Sequence, residues 1–192
     1  NGYCGEKMAD FIVIDTETTW LDKVMSIGAV VADGDTMQAV EKRYYIIDPE
    51  YREGGMYSDA LVRRREDANA FYSRKEATDD LRALAEARNV RNVFAYNARF
   101  DFHHLPELGA FEWCDIMALA AYRQHNPAIP PTAPLCSTGR LKRGFGVESV
   151  LRLLSGDHTY RETHNALQDA LDELRIMTLL GHKADKYSPI NK

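Results

Sequence analysis

Cysteine is scarce and does not pair. Cys4, Cys114 and Cys136 are the three cysteines in 192 residues, and no two stand in a Cys-x-x-Cys spacing. An odd count without that spacing excludes a disulfide framework and a zinc ribbon, and it suits a reducing compartment. No apolar run approaches the roughly 20 residues that a membrane-spanning helix needs. Residues 1–10 lack a basic stretch followed by an apolar one, so no secretory leader is read there, and a cytoplasmic protein without a membrane partner is expected. Excess positive charge is also missing: 24 Lys and Arg face 29 Asp and Glu, for a net charge of −5. A protein that coats nucleic acid along its length is basic. The acidic balance therefore disfavours that class, while leaving room for an enzyme that grips only a strand end. Repeats and low-complexity tracts are absent. The remaining composition, 45% hydrophobic and 28% charged, is that of one globular domain.

Periodicity divides the chain in two. Residues 10–15 read as a buried strand ending at Asp15, residues 24–32 as a second strand and 38–47 as a third, with the turn Asp33-Gly34-Asp35 between the last two. Tight links between three strands predict an antiparallel start to the sheet. The pattern then becomes mainly helical, over 58–72, 78–88, 99–105, 115–123, 147–154 and 166–180, with one more short strand at 92–96. Four of the seven prolines (127, 130, 131 and 134) fall within 124–140, which predicts a long loop.

The residues that carry chemistry are carboxylates in three distant segments. Asp15 and Glu17 follow the apolar run Phe11-Ile12-Val13-Ile14; two residues apart on a strand, they face the same side. Two acids so close repel each other unless a cation lies between them. The spacing alone is weak, because about one Asp-x-Glu arises by chance, and Asp48-Pro49-Glu50 is a second instance in a proline turn. Asp101 closes Asn97-Ala98-Arg99-Phe100-Asp101, where a carboxylate also suits a helix N-terminus. His164 and Asp169 belong to His164-Asn165-Ala166-Leu167-Gln168-Asp169-Ala170. Asn165 and Gln168 read as a capping box, which leaves His164 just outside the helix and Asp169 one turn inside it. At a positive helix end the imidazole stays neutral, as a general base must.

Taken together and in order, these segments resemble the motifs of the DEDDh 3′→5′ exonucleases, the superfamily of polymerase proofreading subunits and ribonuclease T. Asp15-Thr16-Glu17-Thr18-Thr19 is similar to the first motif, Asn97 to Asp101 to the second, and His164 to Ala170 to the third. Ile27-Gly28, Asp115 and Val150-Leu151 agree with intermediate features, so the resemblance spans residues 10–180. Trp20 stands where the family often has glycine, and Tyr96 where it often has histidine.

The resemblance implies an α/β fold of ribonuclease H type, a mixed five-stranded sheet flanked by helices. It implies an exonuclease domain over 10–183, with 124–140 as an insertion, between tails at 1–9 and 184–192. It also implies a hydrolase that releases nucleoside 5′-monophosphates from 3′ ends by a two-metal mechanism. Asp15, Glu17, Asp101 and Asp169 would hold two Mg²⁺ or Mn²⁺ ions, with His164 as general base. Thr18, Thr19, Trp20, Asn97 and Phe100 would meet the terminal nucleotide. The implied partner is single-stranded or 3′-terminal DNA or RNA, with a polymerase or a second copy of the chain as further possibilities. The rival reading is a non-catalytic nucleic-acid- or polymerase-binding module that keeps the fold.

Overall fold

The computed structural model describes residues 7–191; Cys4 and the first six residues of the expected N-terminal tail, 1–9, lie outside them. Six strands form one sheet: β1 (Phe11–Thr18), β2 (Val24–Ala32), β3 (Ala39–Ile47), β4 (Phe71–Tyr72), β5 (Asn92–Ala95) and β6 (Glu112–Asp115). Their order is β4-β3-β2-β1-β5-β6. β2 runs antiparallel to both its neighbours, while β1, β5 and β6 are mutually parallel and β4 pairs parallel with β3. The mixed sheet is the expected one, widened at its edge by the two-residue β4.

Five α-helices accompany it: α1 (Arg74–Ala87), α2 (Arg99–His104), α3 (Met117–Ala120), α4 (Val147–Ser155) and α5 (Ala166–Leu180). Alternation along β1 divides the core. Phe11 and Val13 join Val30, Phe94 and the inner sides of α4 and α5 on one face. Ile12 and Ile14 join Val31, Val93 and α1 on the other. Leu167, Leu174 and Met177 are buried along α5, each contributing roughly 1.5–3 kcal/mol by leaving water.

Gly28 determines how close α5 comes. It is the cross-strand partner of Asp15, and a Cβ there would lie 2.1 Å from the carbonyl oxygen of Ala166. Without a side chain at Gly28, the first turn of α5 seats directly on the sheet beside Asp15.

Three expectations are corrected. Residues 58–72 are not helical: they form 3-10 turns at Ser58–Ala60 and Arg65–Asn69 and then β4. The buried Asp67 accepts the backbone N–H groups of Arg63 and Arg64 at 3.2 and 3.1 Å, a local bond that competes with the helical ladder. The helix expected at 115–123 shrinks to α3, because β6 claims Asp115 and the N–H of Leu141 draws the carbonyl of Ala121 into the loop. Strand β1 does not end at Asp15; Thr16, Glu17 and Thr18 continue to pair with β2.

The loop at 124–140 is ordered by its own polar contacts. Arg123 donates to the carbonyls of Pro130 and Pro131 at 2.7 and 2.9 Å, and the fully buried Asn126 donates to Ala120 at 2.8 Å. Beyond α5, Tyr187 is buried and the N–H of Ile190 donates to the Trp113 carbonyl at 2.8 Å.

Candidate metal centre

Asp15 and Glu17 lie on the face of β1 that α5 covers, since they share the parity of Phe11 and Val13. Asp169 sits one turn inside α5 and is 2% exposed. Asn165 caps the helix, its side chain accepting from Gln168 N–H at 3.2 Å. The reciprocal half of the expected capping box is absent: Gln168 donates to Asp172 at 3.1 Å instead. Asp101, 3% exposed, enters from the opposite side on α2. Its Oδ1 accepts from Thr16 N–H at 3.0 Å and Thr16 Oγ1 at 2.7 Å, which ties the second motif to the first.

Two acids beyond the sequence-predicted set belong to this cluster. Glu173 follows Asp169 by one helical turn, is 2% exposed, and accepts from Tyr96 N–H at 3.1 Å. Its signal in the sequence is the i, i+4 spacing from Asp169, which places both on one face of α5. Glu162 lies in the segment before His164 and is held by its own backbone, which donates to Glu148 at 2.9 Å.

Among the described residues, no lysine or arginine forms an ion pair with Asp15, Glu17, Asp101, Asp169 or Glu173. Asp15 Oδ2 is buried and has no hydrogen-bond partner. Burial, then the neighbouring acids, holds the Asp15 and Glu173 carboxyls well above the usual carboxylate range. Burial and Asp169 push Glu17 up to about 8. Asp101 and Asp169 rise to about 7, burial again leading, although the Thr16 and Thr163 hydrogen bonds oppose it. Uncompensated carboxylates in a dry site are what a divalent cation relieves, and oxygen donors suit Mg²⁺ and Mn²⁺. The donor set therefore fits the metals that the motifs imply.

His164 also approaches. Ligand atoms of Glu17, His164 and Asp169 all lie within 4.8 Å of one another. His164 adopts a left-handed backbone, φ +55°, and its ring stacks on Tyr57 at 3.7 Å and 11°. Tyr57 is a neighbour that sequence patterning did not single out. Burial lowers the His164 pKa; Arg63 lowers it further and Glu148 raises it.

A pH prediction follows from the metal-free acids. Their pKa values are higher folded than unfolded, so the folded chain binds more protons between the two ranges, and stability falls as pH rises. In EDTA, the melting temperature at pH 5.5 is expected to exceed that at pH 8 by on the order of 5 °C. Mn²⁺ at pH 8 should recover the difference. Equal melting temperatures in EDTA would mean that these carboxylates carry no mutual strain.

The residues assigned to the nucleotide are mixed in character. Thr19 is buried and structural, donating to Glu53 at 3.1 Å and accepting from Leu21 and Lys23 N–H at 3.2 Å. Thr18 is half-buried at the end of β1. Asn97 has φ +59°, and its N–H donates to Asp115 at 2.9 Å. Trp20 and Leu21 are each 67% exposed and Phe100 40%. Phe100 packs against His104 at 4.2 Å, and His104 Nε2 meets Asp22 Oδ1 at 2.8 Å, which ties α2 to the turn that follows Trp20 and Leu21. At Tyr96 the hydroxyl donates to the Phe145 carbonyl, pinning β5 to the segment before α4.

No protein-family model and no curated protein matches the chain. Solved structures do. The nuclease domain of 3′hExo, described as a DEDDh family member and bound to rAMP, is 12% identical, with a TM-score of 0.67 over 98% of this chain and 100% of that one. The chain carries the fold of the DEDDh exonucleases. A 3′-exonuclease solved with a histone mRNA stem-loop is 13% identical with a TM-score of 0.64, over 98% of this chain and 93% of that one. Exonuclease I of E. coli, in complex with a 5cy-dT13 oligonucleotide, is 15% identical with a TM-score of 0.62 over 94% of this chain. This chain spans 42% of the Exonuclease I chain. Among the described residues no helix is long and apolar enough to cross a membrane.

Proposed function

We propose that the protein is a metal-dependent 3′→5′ exonuclease that hydrolyses terminal phosphodiester bonds and releases nucleoside 5′-monophosphates. The observation that carries this reading is the unpaired acidic cluster, centred on the buried, unpartnered Oδ2 of Asp15. Asp15, Glu17, Asp101 and Asp169 would hold two Mg²⁺ or Mn²⁺ ions, which supply Lewis-acid stabilisation at the phosphoryl oxygens and acidify water. Thr16 keeps Asp101 turned toward β1, and Thr163 donates to Asp169 at 3.3 Å. His164, kept neutral by burial, accepts the proton of the attacking water. Trp20 and Phe100, both exposed, would offer aromatic faces to the terminal base, with Asn97 and Thr18 as further contacts to that nucleotide.

A binding module has no use for a buried acidic cluster with an unpartnered carboxylate oxygen, and a ribonuclease H-type endonuclease leaves His164 unexplained. The test is a time course on 5′-labelled single-stranded DNA and RNA of matched sequence with Mg²⁺ or Mn²⁺, with and without EDTA. A ladder shortening from the 3′ end, and resistance of a 3′-blocked substrate, are expected. Internal fragments from the blocked substrate would favour an endonuclease, and binding without product would favour the module.

Trp20 supplies a further prediction. At 67% exposure it covers little of the sheet, so stacking on a base is its better use. Trp20→Ala should weaken single-strand binding by roughly 1–3 kcal/mol with little base preference. Unchanged affinity in anisotropy titrations of a folded variant would remove it from the site.

A further inference from the structure

The segment 54–65 borders the centre along its length. Gly54 accepts the N–H of Trp20 at 2.9 Å. Tyr57 stacks on His164. Farther on, Arg63 and Arg64 line a cavity of about 200 Å³ with Thr163 and Asn165, which flank His164, and with Gln168 of the third motif. Arg64 also lines a second cavity of about 450 Å³, which contains Lys42, Arg43 and Tyr72. The segment therefore passes, in order, from Trp20, across His164, to Arg63 and Arg64.

Those cations are mostly uncommitted. Arg63, Arg64 and Arg65 are all exposed. Among the described residues Arg63, Arg65 and Lys42 form no ion pair, and Arg64 reaches Asp67 only at 4.0 Å. Arg43 is neutralised by Glu41 at 2.7 Å and Asp80 at 3.2 Å, and Glu66 also lines the larger cavity. In a chain of net charge −5, the exposed Arg63 and Arg64 against Thr163 and Asn165, the neighbours of His164, are a local exception that needs a use. Tyr72, 38% exposed, adds an aromatic face among them. Cations tracking a backbone beside a ring on which bases can stack make a single-strand groove.

We propose that Arg63 and Arg64, with Lys42 and Tyr72 beyond them, form a track for the phosphodiester backbone of a single-stranded polynucleotide, 5′ of the nucleotide being removed. This rests on the exonuclease reading for its direction: the terminal base lies at Trp20 and Phe100, the scissile phosphate at the carboxylates, and the rest of the strand leaves past His164. The track reads charge and not sequence. It gives a long strand an advantage that a mononucleotide ester cannot have.

The test compares the wild type with Arg63→Gln/Arg64→Gln, its folding verified by its melting temperature. Binding of fluorescein-labelled dT12 is followed by anisotropy over a salt series with Ca²⁺ as the divalent ion. The slope of log Kd against log salt should flatten by about 0.7 for each phosphate contact removed, and Kd at low salt should rise on the order of tenfold. Hydrolysis of the p-nitrophenyl ester of thymidine 5′-monophosphate with Mn²⁺ reports on the centre without a strand. A fall in kcat/KM on dT12 well beyond any fall on the ester supports the track. An unchanged salt slope, or equal losses on dT12 and the ester, would overturn it. A wild type that binds dT12 through these arginines but hydrolyses neither substrate would refute the exonuclease reading and leave the track standing.

Discussion

Asp15→Asn is expected to lower metal-dependent nucleotide release on the order of a thousandfold, while the metal-free protein becomes harder to melt. Both effects come from one atom. Asp15 Oδ2 is buried without a partner, and four other acids, led by Glu173 and Asp101, raise the cost of its charge. On the proposed reading that charge is what the cations would engage, and removing it would take away the ligand at the middle of the cluster. In EDTA the same charge is a liability, and the amide that replaces it adds donors for the surrounding carboxylates. The gain is expected to be a few degrees, since about 1 kcal/mol moves the melting temperature of a domain this size by roughly 2–4 °C. The measurement pairs thermal melts in EDTA with turnover in Mn²⁺. Activity above a tenth of wild type would refute the assignment of Asp15 as a central metal ligand. Lost activity together with a lowered melting temperature would make Asp15 a structural residue.

Much of this arrangement was legible before any coordinates. The order β1, β2, β3 followed from three apolar runs and short turns, and α5 has the predicted bounds of 166–180. In both cases local period and global packing agree. The failures are where a side chain overrules the period. The stretch 58–72 reads as helical in sequence, but Asp67 captures the backbone of Arg63 and Arg64 and turns it into 3-10 turns. Strand β6 went unread because four residues with one buried pair, Trp113 and Cys114, carry too little alternation. Within the site, motif order indicated Asp15, Glu17, Asp101, His164 and Asp169, and folding brings their segments together. Glu173 was hidden because a glutamate on a long helix ordinarily faces solvent; only the fold shows it interior, accepting from Tyr96 N–H at 3.1 Å. Tyr57 was hidden because its contact with His164 joins residues from distant parts of the sequence.

His164→Ala should cost about a hundredfold or more in turnover, the usual contribution of a positioned base. The neutral imidazole is the active form, so activity should rise with pH. Because burial and Arg63 lower the His164 pKa, the midpoint of that rise is expected below the ordinary histidine value of 6.5. The alanine variant should lose this limb. A second role is geometrically open to the same ring, since Glu17, His164 and Asp169 present ligand atoms within 4.8 Å. The two roles separate in a calorimetric Mn²⁺ titration. A general base leaves cation affinity nearly intact when removed, because the carboxylates supply the ligands; a ligand takes much of the affinity with it. Tyr57→Phe keeps the stacked ring and should retain the wild-type limb, whereas Tyr57→Ala frees His164 and should lower the rate without shifting Mn²⁺ affinity. An alanine variant at 164 that turns over near the wild-type rate with an unaltered acid limb would remove this histidine from the mechanism.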